Sequence, residues 1–543
     1  MAAASRERRV TPRDQSISHA LGGAVCLSFA VFAFGVIWRQ SFLCIDGARY
    51  FNFVDDGLIT LRTGWNLAHG SGLVWNPGER VEAITNMGWA LYAAVLALFL
   101  DRRVLPFAVQ LTCAATLIVA AIACRRIFRK ITASDAAPAS HVLETIALLA
   151  PLSYVPLLNW TLAGMETGPV AALVAVALSL MIGTSSSLAG SLLLGVAFST
   201  RPDVAAPAAI LLALRCFKRR SSGWAAWNRW AEVVPFVTVA VMVTIFRWVY
   251  YGSFVPNTYV LKVTGTPLLE RIQGNGFLYV SSWFNDSRVL VVLLVTSLIV
   301  RPKWDKFLLA SVLGSMLANC LYVGGDAFTQ FRFVAPFVPL AVLVILSDVP
   351  ALGAWIAARV PDTRIARRAA PVCAVVAACV FLLHVWTQTF TVRQKPSPEN
   401  VANINTAIYL NRVLGPQATV GVFFAGTVPY YTGLKAVDFL GKGDPYIARL
   451  APDRTGAISA RGMKNIPGHD KYDLTYSILA KRPTYVADVR WGRQDLSQAT
   501  SASYVRVPVE FETWPESTGR SVLLLRDSPD VDWERVGASK PTR

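Results

Sequence analysis

The stretch Val104–Cys124, VLPFAVQLTCAATLIVAAIAC, carries no charge and runs directly into Arg125-Arg126-Ile127-Phe128-Arg129-Lys130. A bilayer span needs roughly 17–25 mostly apolar residues, and a basic cluster at one end marks the cytoplasmic side. Apolar runs of the same kind cover Ala20–Trp38, Val233–Tyr250 (with one charge, Arg247), Phe307–Val323 and Pro371–Gln388. Shorter ones between them are interrupted by Pro or Gly, which is tolerated where neighbouring helices or a cavity satisfy the backbone. The whole chain agrees: of 543 residues 54% are hydrophobic and only 16% charged, with mean hydropathy +0.44, against about 25% charge in a soluble protein. Disorder and a soluble single-core enzyme are excluded. The formal charge of +18 belongs to loops and lipid phosphates in such a chain, and nucleic acid is not expected as a partner. The eight cysteines show no CxxC or metal spacing, and most lie in apolar runs as buried thiols. The basic N-terminus lacks a small-x-small cleavage site after Trp38, so the first run reads as an uncleaved span.

Five basic clusters orient the chain: Arg6/Arg8/Arg9/Arg13, Arg125–Lys130, Arg215–Arg220, Arg301–Lys306 and Arg359–Arg368. All five face the cytoplasm with about eleven spans, provided that apolar Met87–Leu100 lies in or dips into the outer interface; a crossing Met87–Leu100 would put Arg125–Lys130 outside. The expected architecture is a polytopic α-helical membrane module over residues 1–388, whose outer loop 39–100 is long, followed by an extracytoplasmic α/β domain over 389–543. That tail is richer in charged residues, Pro and Gly, and its short β-branched runs, such as Thr419–Phe424 and Ser521–Leu525, alternate with turns.

Charged groups near membrane depth are costly and are paired or functional. Asp55, Asp56, Glu166, Asp203 and Asp326 fall at the outer face from separate segments, accompanied by Arg62, Arg201, Lys262 and Arg332. A carboxylate can take a proton from a hydroxyl, and arginine or lysine can hold a phosphate leaving group. Structural pairing at helix ends is the simpler use of the same residues. Asp55 and Asp56 are candidate catalytic acids, Asp55 first, since the start of a helix also favours an acid as a cap. Arg201, Arg332 and Lys262 are candidates for a donor phosphate. In the loop Gly70–Glu82 and nearby, Trp75, Asn76, Glu79, Glu82, Asn86 and Asn257 are types that grip a sugar by its apolar face and hydroxyls. Arg62, Glu166, Asp203, Asp326 and His469, in Pro467-Gly-His-Asp470, complete the expected sugar and acceptor set. No spacing reads as a metal cage, and no Walker loop or dinucleotide fingerprint occurs. No protein metal site is therefore expected; a divalent cation is left open as the sole cofactor, and a lipid-borne donor is favoured over a nucleotide sugar.

Asp55-Asp-Gly-Leu-Ile-Thr-Leu-Arg62, Asn66–Glu82 and Thr85-Asn86 resemble the first outer loop of the GT-C membrane glycosyltransferases, most closely the mycobacterial terminal β-(1→2)-arabinofuranosyltransferase family. Gly164-Met-Glu-Thr167, Thr200-Arg-Pro-Asp203, Tyr251–Thr258, Gly324-Gly-Asp326 with Phe331-Arg-Phe333, and Asp438…Gly441 with Pro467-Gly-His469 are similar in order and spacing. The resemblance implies a GT-C fold whose first outer loop carries the catalytic Asp. It also implies inverting transfer of a sugar, D-arabinofuranose by this likeness, from a polyprenyl phosphate to a hydroxyl of a polysaccharide, glycolipid or glycoprotein. By analogy with the aminoarabinose transferases, Arg201 falls where a basic residue lies near the donor phosphate. The implied setting is the bacterial inner membrane, with site and tail domain facing the periplasm. The alternative from another class is a transporter or flippase of a polyprenyl-linked sugar or glycolipid, which would place its acids near the midplane and show two related halves. A scaffold for envelope assembly would leave the convergence of acids unexplained.

Overall fold

The computed structural model describes residues 12–133, 140–184, 187–221, 230–328, 330–359, 363–389, 392–460, 463–464, 466–509 and 520–537. The N-terminal arginines Arg6, Arg8 and Arg9 of the first basic cluster lie outside them. Among the described residues five helices are long and apolar enough to cross a membrane: Ser18–Arg39, Leu105–Thr132, Val234–Tyr251, Trp304–Val323 and Ala335–Ala357. Two bent pairs, His141–Ser153 with Val155–Leu162 (49°) and Leu268–Asp286 with Arg288–Val300 (83°), raise that to as many as seven. Thr167–Met181, Leu188–Thr200 and Pro371–Phe381 are apolar but shorter.

Leu105–Thr132 shows how sequence sets these helices. Asp101 accepts the backbone N–H groups of Arg103 and Val104 at 2.9 Å just ahead of it, and Pro106 occupies its first turn, where a missing N–H costs nothing. Arg129 and Lys130 end it. Lys130 also donates to the carbonyls of Ser179 and Ile182, at the C-terminal end of Thr167–Met181, where a cation is favoured by the helix dipole. The far end is closed by ion pairs: Glu144 accepts from Arg125 and Arg129, and Asp348 from Arg301 and Lys306.

Met87–Ala97 is an 11-residue helix, about 16 Å long at 1.5 Å per residue, half a hydrocarbon core of roughly 30 Å. The chain before it, at Asn76, and the chain after it, at Arg102, both touch the tail domain: Asn76 donates to the Ala436 carbonyl at 2.8 Å, and the Arg102 carbonyl accepts from the Tyr430 hydroxyl at 2.9 Å. The helix therefore returns to the face it left. From Leu105 the next helix then carries Arg125 to the opposite end, about 30 Å further on.

The tail folds around a five-stranded mixed sheet in the order Tyr504–Val509, Arg520–Leu525, Tyr485–Val486, Thr419–Val422, Lys435–Asp438. The first three strands pair antiparallel; Thr419–Val422 is parallel to both its neighbours, with Val420 opposite Ala436 and Tyr485. Phe423, Phe439, Leu474, Val486 and Leu523 form a buried cluster within the tail itself, and a second cluster is shared. Leu410, Val420, Val422 and Leu524 share one buried apolar cluster with Ile59, Trp75, Ala83 and Met87 of the first outer segment, so that segment and the tail pack as one body over the helices.

Candidate active site

Where the helices meet that body lies a cavity of about 170 Å³. Its walls are largely apolar, and its charged groups are four carboxylates (Asp56, Glu166, Asp203, Asp326) and four cations (Arg201, Lys262, Arg332, Lys442), joined by Asn86, His469 and several hydroxyls.

Asp56 stands in the first turn of the helix Asp55–Ala68, where the dipole favours a negative charge. Its carboxylate accepts from Arg332 at 2.9 Å and from Lys442 at 2.5 Å. Burial alone would push this acid up, but Lys442 and Arg332 outweigh it and hold the carboxyl far below the usual range. Arg332 also grips Asp326 with two nitrogens, at 2.6 and 2.9 Å. It is aimed by an unusual backbone: Gln330 and Phe331 both have positive φ, +63° and +45°, which is costly for side-chain-bearing residues. Asn159 and Trp160 hold the turn by donating to the Gln330 side chain and carbonyl. Opposite, Arg201 binds Glu166 at 2.7 Å and Asp203 at 3.0 Å, and Asn86 donates to Glu166 at 3.1 Å. Arg201, Lys262 and Arg332 gather around the Phe333 ring, 4.6, 5.6 and 5.5 Å from its centroid, an arrangement worth more where water is excluded. Glu166 reaches Asp56's neighbourhood because Gly164, at φ +89°, lets Phe53 lie where a Cβ would sit.

Nine of the sequence candidates thus meet in one cavity: Asp56, Asn86, Glu166, Arg201, Asp203, Lys262, Asp326, Arg332 and His469. The others do not. Asp55, expected ahead of Asp56 as the reacting acid, is absent from the cavity lining; its two oxygens accept the backbone N–H groups of Gly426 and Thr427 at 3.0 and 2.7 Å and the Thr427 hydroxyl at 2.7 Å. It docks the tail domain. Arg62, Trp75, Asn76, Glu79 and Asn257, expected around a sugar, serve the same seam, whereas Glu82, expected there too, ties the first outer segment to the helix Val234–Tyr251. The Arg62 guanidinium donates to the carbonyls of Trp75, Pro429 and Leu434; Trp75 donates to Ala425 and is buried against Gly443; Asn76 exchanges hydrogen bonds with Ala436. Glu79 pairs with Lys435 at 2.7 Å, and Glu82 with Arg247 at 3.0 Å. Asn257 donates to the carbonyls of Gly441 and Lys442. A dry seam between two bodies asks for aromatic rings and fully satisfied polar groups just as a sugar pocket does, and residue type alone did not separate the two.

Lys442 is the site residue that the sequence reading missed. It projects from a tight turn, Asp438–Gly443, in which the buried Asp438 carboxylate accepts the N–H groups of Leu440 and Gly443 at 3.0 and 2.7 Å and Gly441 has φ +81°. The signal available was a lysine between two glycines in the motif noted at Asp438…Gly441.

Gly426 touches Asp55 so closely that an added Cβ would lie 1.9 Å from the Asp55 carbonyl oxygen. Gly426→Ala is therefore expected to prise the seam open at a cost of about 1–3 kcal/mol, seen as a lower melting temperature and faster proteolysis of the tail. His469 has an Nδ1 with no hydrogen-bond partner among the described residues. Burial, aided by Lys442, lowers its pKa to about 4. The unfolded chain takes up this proton below about pH 6.5 and the folded chain only near pH 4, so the stability it supplies is complete above 6.5 and is lost as the pH falls from 6.5 to 4. The melting temperature of His469→Gln should fall less than that of the parent protein across this window.

Residues 392–529 match a family model described as a domain of unknown function (DUF8728). The chain is 26% identical over 371 residues to the terminal β-(1→2)-arabinofuranosyltransferase of Corynebacterium glutamicum, covering 60% of this chain and 50% of that protein. It is 30% identical over 261 residues to the protein of the same name from Mycobacterium tuberculosis, covering 45% and 39%. The chain thus spans half or less of the curated relatives it matches. In fold it resembles ArnT from Cupriavidus metallidurans, with TM-score 0.53, 14% identity and coverage of 93% of this chain and 98% of that one in the apo state; against ArnT bound to undecaprenyl phosphate the TM-score is 0.51 at 13% identity, covering 92% and 97%. The likeness to GT-C arabinofuranosyltransferases read from the first outer segment is borne out, and the fold is like that of ArnT.

Proposed function

We propose that this protein is an inverting glycosyltransferase that moves a sugar from a polyprenyl-phosphate donor to a hydroxyl of a glycan acceptor at the outer face of the bacterial inner membrane. The observation that carries the reading is the clamp on Asp56: one carboxylate held between Arg332 from the helical module and Lys442 from the tail, in a cavity that also gathers Arg201 and Lys262. The names of the two curated relatives favour D-arabinofuranose as the sugar, and undecaprenyl phosphate on ArnT favours an isoprenoid phosphate as its carrier. The cavity and the tail then lie outside the cytoplasm, as expected from the sequence if about eleven spans keep the five basic clusters inside.

In this reading the donor phosphate settles among Arg201, Lys262, Arg332 and Lys442. Asp56 takes the proton from the acceptor hydroxyl; the oxygen bonds to the anomeric carbon as the bond from that carbon to the phosphate oxygen breaks on the opposite face. The polyprenyl phosphate leaves with the bonding pair, and its charge is met by the waiting cations. One base and no nucleophilic carboxylate give inversion. The cations and carboxylates of the cavity balance four to four, so an arriving phosphate must draw Arg332 and Lys442 away from Asp56. That withdrawal raises the basicity of Asp56 only when a donor is present.

The test is incubation of the purified chain with a lipid-phosphate sugar and a hydroxyl acceptor, with release of polyprenyl phosphate as the readout; no release would end the proposal. Within it, Lys442→Gln should raise the donor KM. A hydrogen bond to a charged group is worth about 1.5–3 kcal/mol, which corresponds to roughly 10–150-fold. An unchanged donor KM would remove Lys442 from the phosphate site.

A further inference from the structure

The outer face of the tail carries a second arrangement that the proposed chemistry does not use. Tyr446 lies on the short helix Pro445–Arg449 and Tyr476 on the helical turn Thr475–Ala480. Their ring centroids are 4.4 Å apart, tilted by 45°. Two acids frame them reciprocally. Asp444 accepts the backbone N–H groups of Tyr446 and Ile447 with one oxygen, at 2.8 and 3.2 Å, and the Tyr476 hydroxyl with the other at 3.1 Å. Asp473 accepts the Tyr476 N–H at 3.0 Å with one oxygen and the Tyr446 hydroxyl at 3.1 Å with the other. Each acid thus holds its own tyrosine by the backbone and the other by the phenol.

A purely structural cross-link would be served as well by buried rings. Here Tyr446 remains 47% exposed, although its phenol is already tied down. A ligand stacking on a ring that is fixed in advance loses little further freedom. Carboxylate oxygens have about four lone-pair sites each, so Asp444 and Asp473 keep acceptors for hydroxyl groups beside the rings. Lys481 lies over the Tyr476 ring, 5.0 Å from its centroid, which leaves Tyr446 as the exposed ring. An apolar face bordered by hydroxyl acceptors is complementary to an uncharged saccharide, which shows C–H groups on one side and hydroxyls at its rim. Position adds to chemistry. Lys442, which reaches Asp56 in the cavity, precedes Tyr446 by four residues, so the two Cα atoms are within about 14 Å of one another.

We propose that Tyr446 and Tyr476, framed by Asp444 and Asp473, form a surface subsite for an uncharged polysaccharide, holding a chain whose end enters the cavity. The subsite rests on the proposed transfer reaction only for the identity of that chain as acceptor.

The test uses the full chain in detergent, with a soluble neutral arabinan as probe and an arabinofuranosyl disaccharide as the short acceptor. The protein should bind the arabinan, Tyr446→Ala should weaken that binding at least tenfold, and Tyr446→Phe, which keeps the ring, should stay within about threefold of the parent. Tyr446→Ile, which fills the same space without a ring, should behave as the alanine variant if loss of packing unfolds the latter. In turnover, Tyr446→Ala should raise the KM for arabinan about tenfold while kcat and the KM for the disaccharide stay unchanged. Arabinan binding that is absent from the parent or indifferent to Tyr446 overturns the subsite. Binding that depends on Tyr446, without any release of polyprenyl phosphate from a donor, keeps the subsite and overturns the transferase reading instead.

Discussion

Asp56→Asn is expected to lower kcat by about 10²–10⁴-fold, the range that a positioned general base contributes, while the donor KM stays the same or falls. The direction of the KM follows from the clamp: with the charge of Asp56 gone, Arg332 and Lys442 no longer have to be drawn from it before they can meet a phosphate. Asp55→Asn should act differently. Its oxygens hold three donors of the tail, so its loss should appear first as a loosened seam, with a lower melting temperature. The pH profile separates the roles further. A carboxylate base works when ionised, so activity falls as the pH drops through its pKa. In the free protein that pKa lies far below the ordinary value, and the acid limb of kcat/KM, which reports the free enzyme, should lie correspondingly low. With donor bound the cations turn to the phosphate, and the acid limb of kcat should lie at higher pH. Turnover by Asp56→Asn at the parent rate, or two coincident acid limbs, would rule out Asp56 as a base unmasked by its donor.

The sequence made the helical membrane fold legible because its signal is local: an uncharged Val104–Cys124 ending in Arg125–Lys130 needs no tertiary information. Convergence of Glu166, Arg201, Asp203, Asp326 and Arg332 was legible for a related reason, since charge at a membrane boundary is too costly to be accidental. What failed to show was the division of labour within the first outer segment. Asp55 and Asp56 are adjacent on a helix and so point about 100° apart; which of them faces the cavity depends on where Gly426 and Thr427 arrive, some 370 residues later in the chain. Trp75, Asn76 and Arg62 looked like sugar ligands because the seam they fill has no trace in their own segment. Lys442 was overlooked for the converse reason: it lies in a soluble domain, where a lysine is ordinary, and only the Asp438 turn and Asn257 carry it into the cavity.

Removing Arg332 should have the larger structural consequence. Asp326 is 2% exposed and receives two of the Arg332 hydrogen bonds, with Lys262 only at 3.9 Å. Arg332→Met therefore leaves a buried carboxylate poorly compensated, at a cost of about 3–5 kcal/mol, and melting of the purified variant should show it directly. Lost activity in that variant would be ambiguous, because unfolding and loss of a phosphate ligand give the same result. Arg332→Met combined with Asp326→Leu resolves it, since a buried ion pair replaced by apolar groups of similar volume is commonly neutral or stabilising, and the double variant should recover most of the melting temperature. If Arg332 served only to neutralise Asp326, turnover would recover as well. The proposed chemistry requires the opposite: a folded double variant with a donor KM at least tenfold above the parent, because one of the four cations meant for the phosphate is missing, and with Asp56 held by Lys442 alone. Recovery of both stability and donor affinity would place the phosphate elsewhere in the cavity, on Arg201 and Lys262, and Asp56 would then have no donor-dependent release.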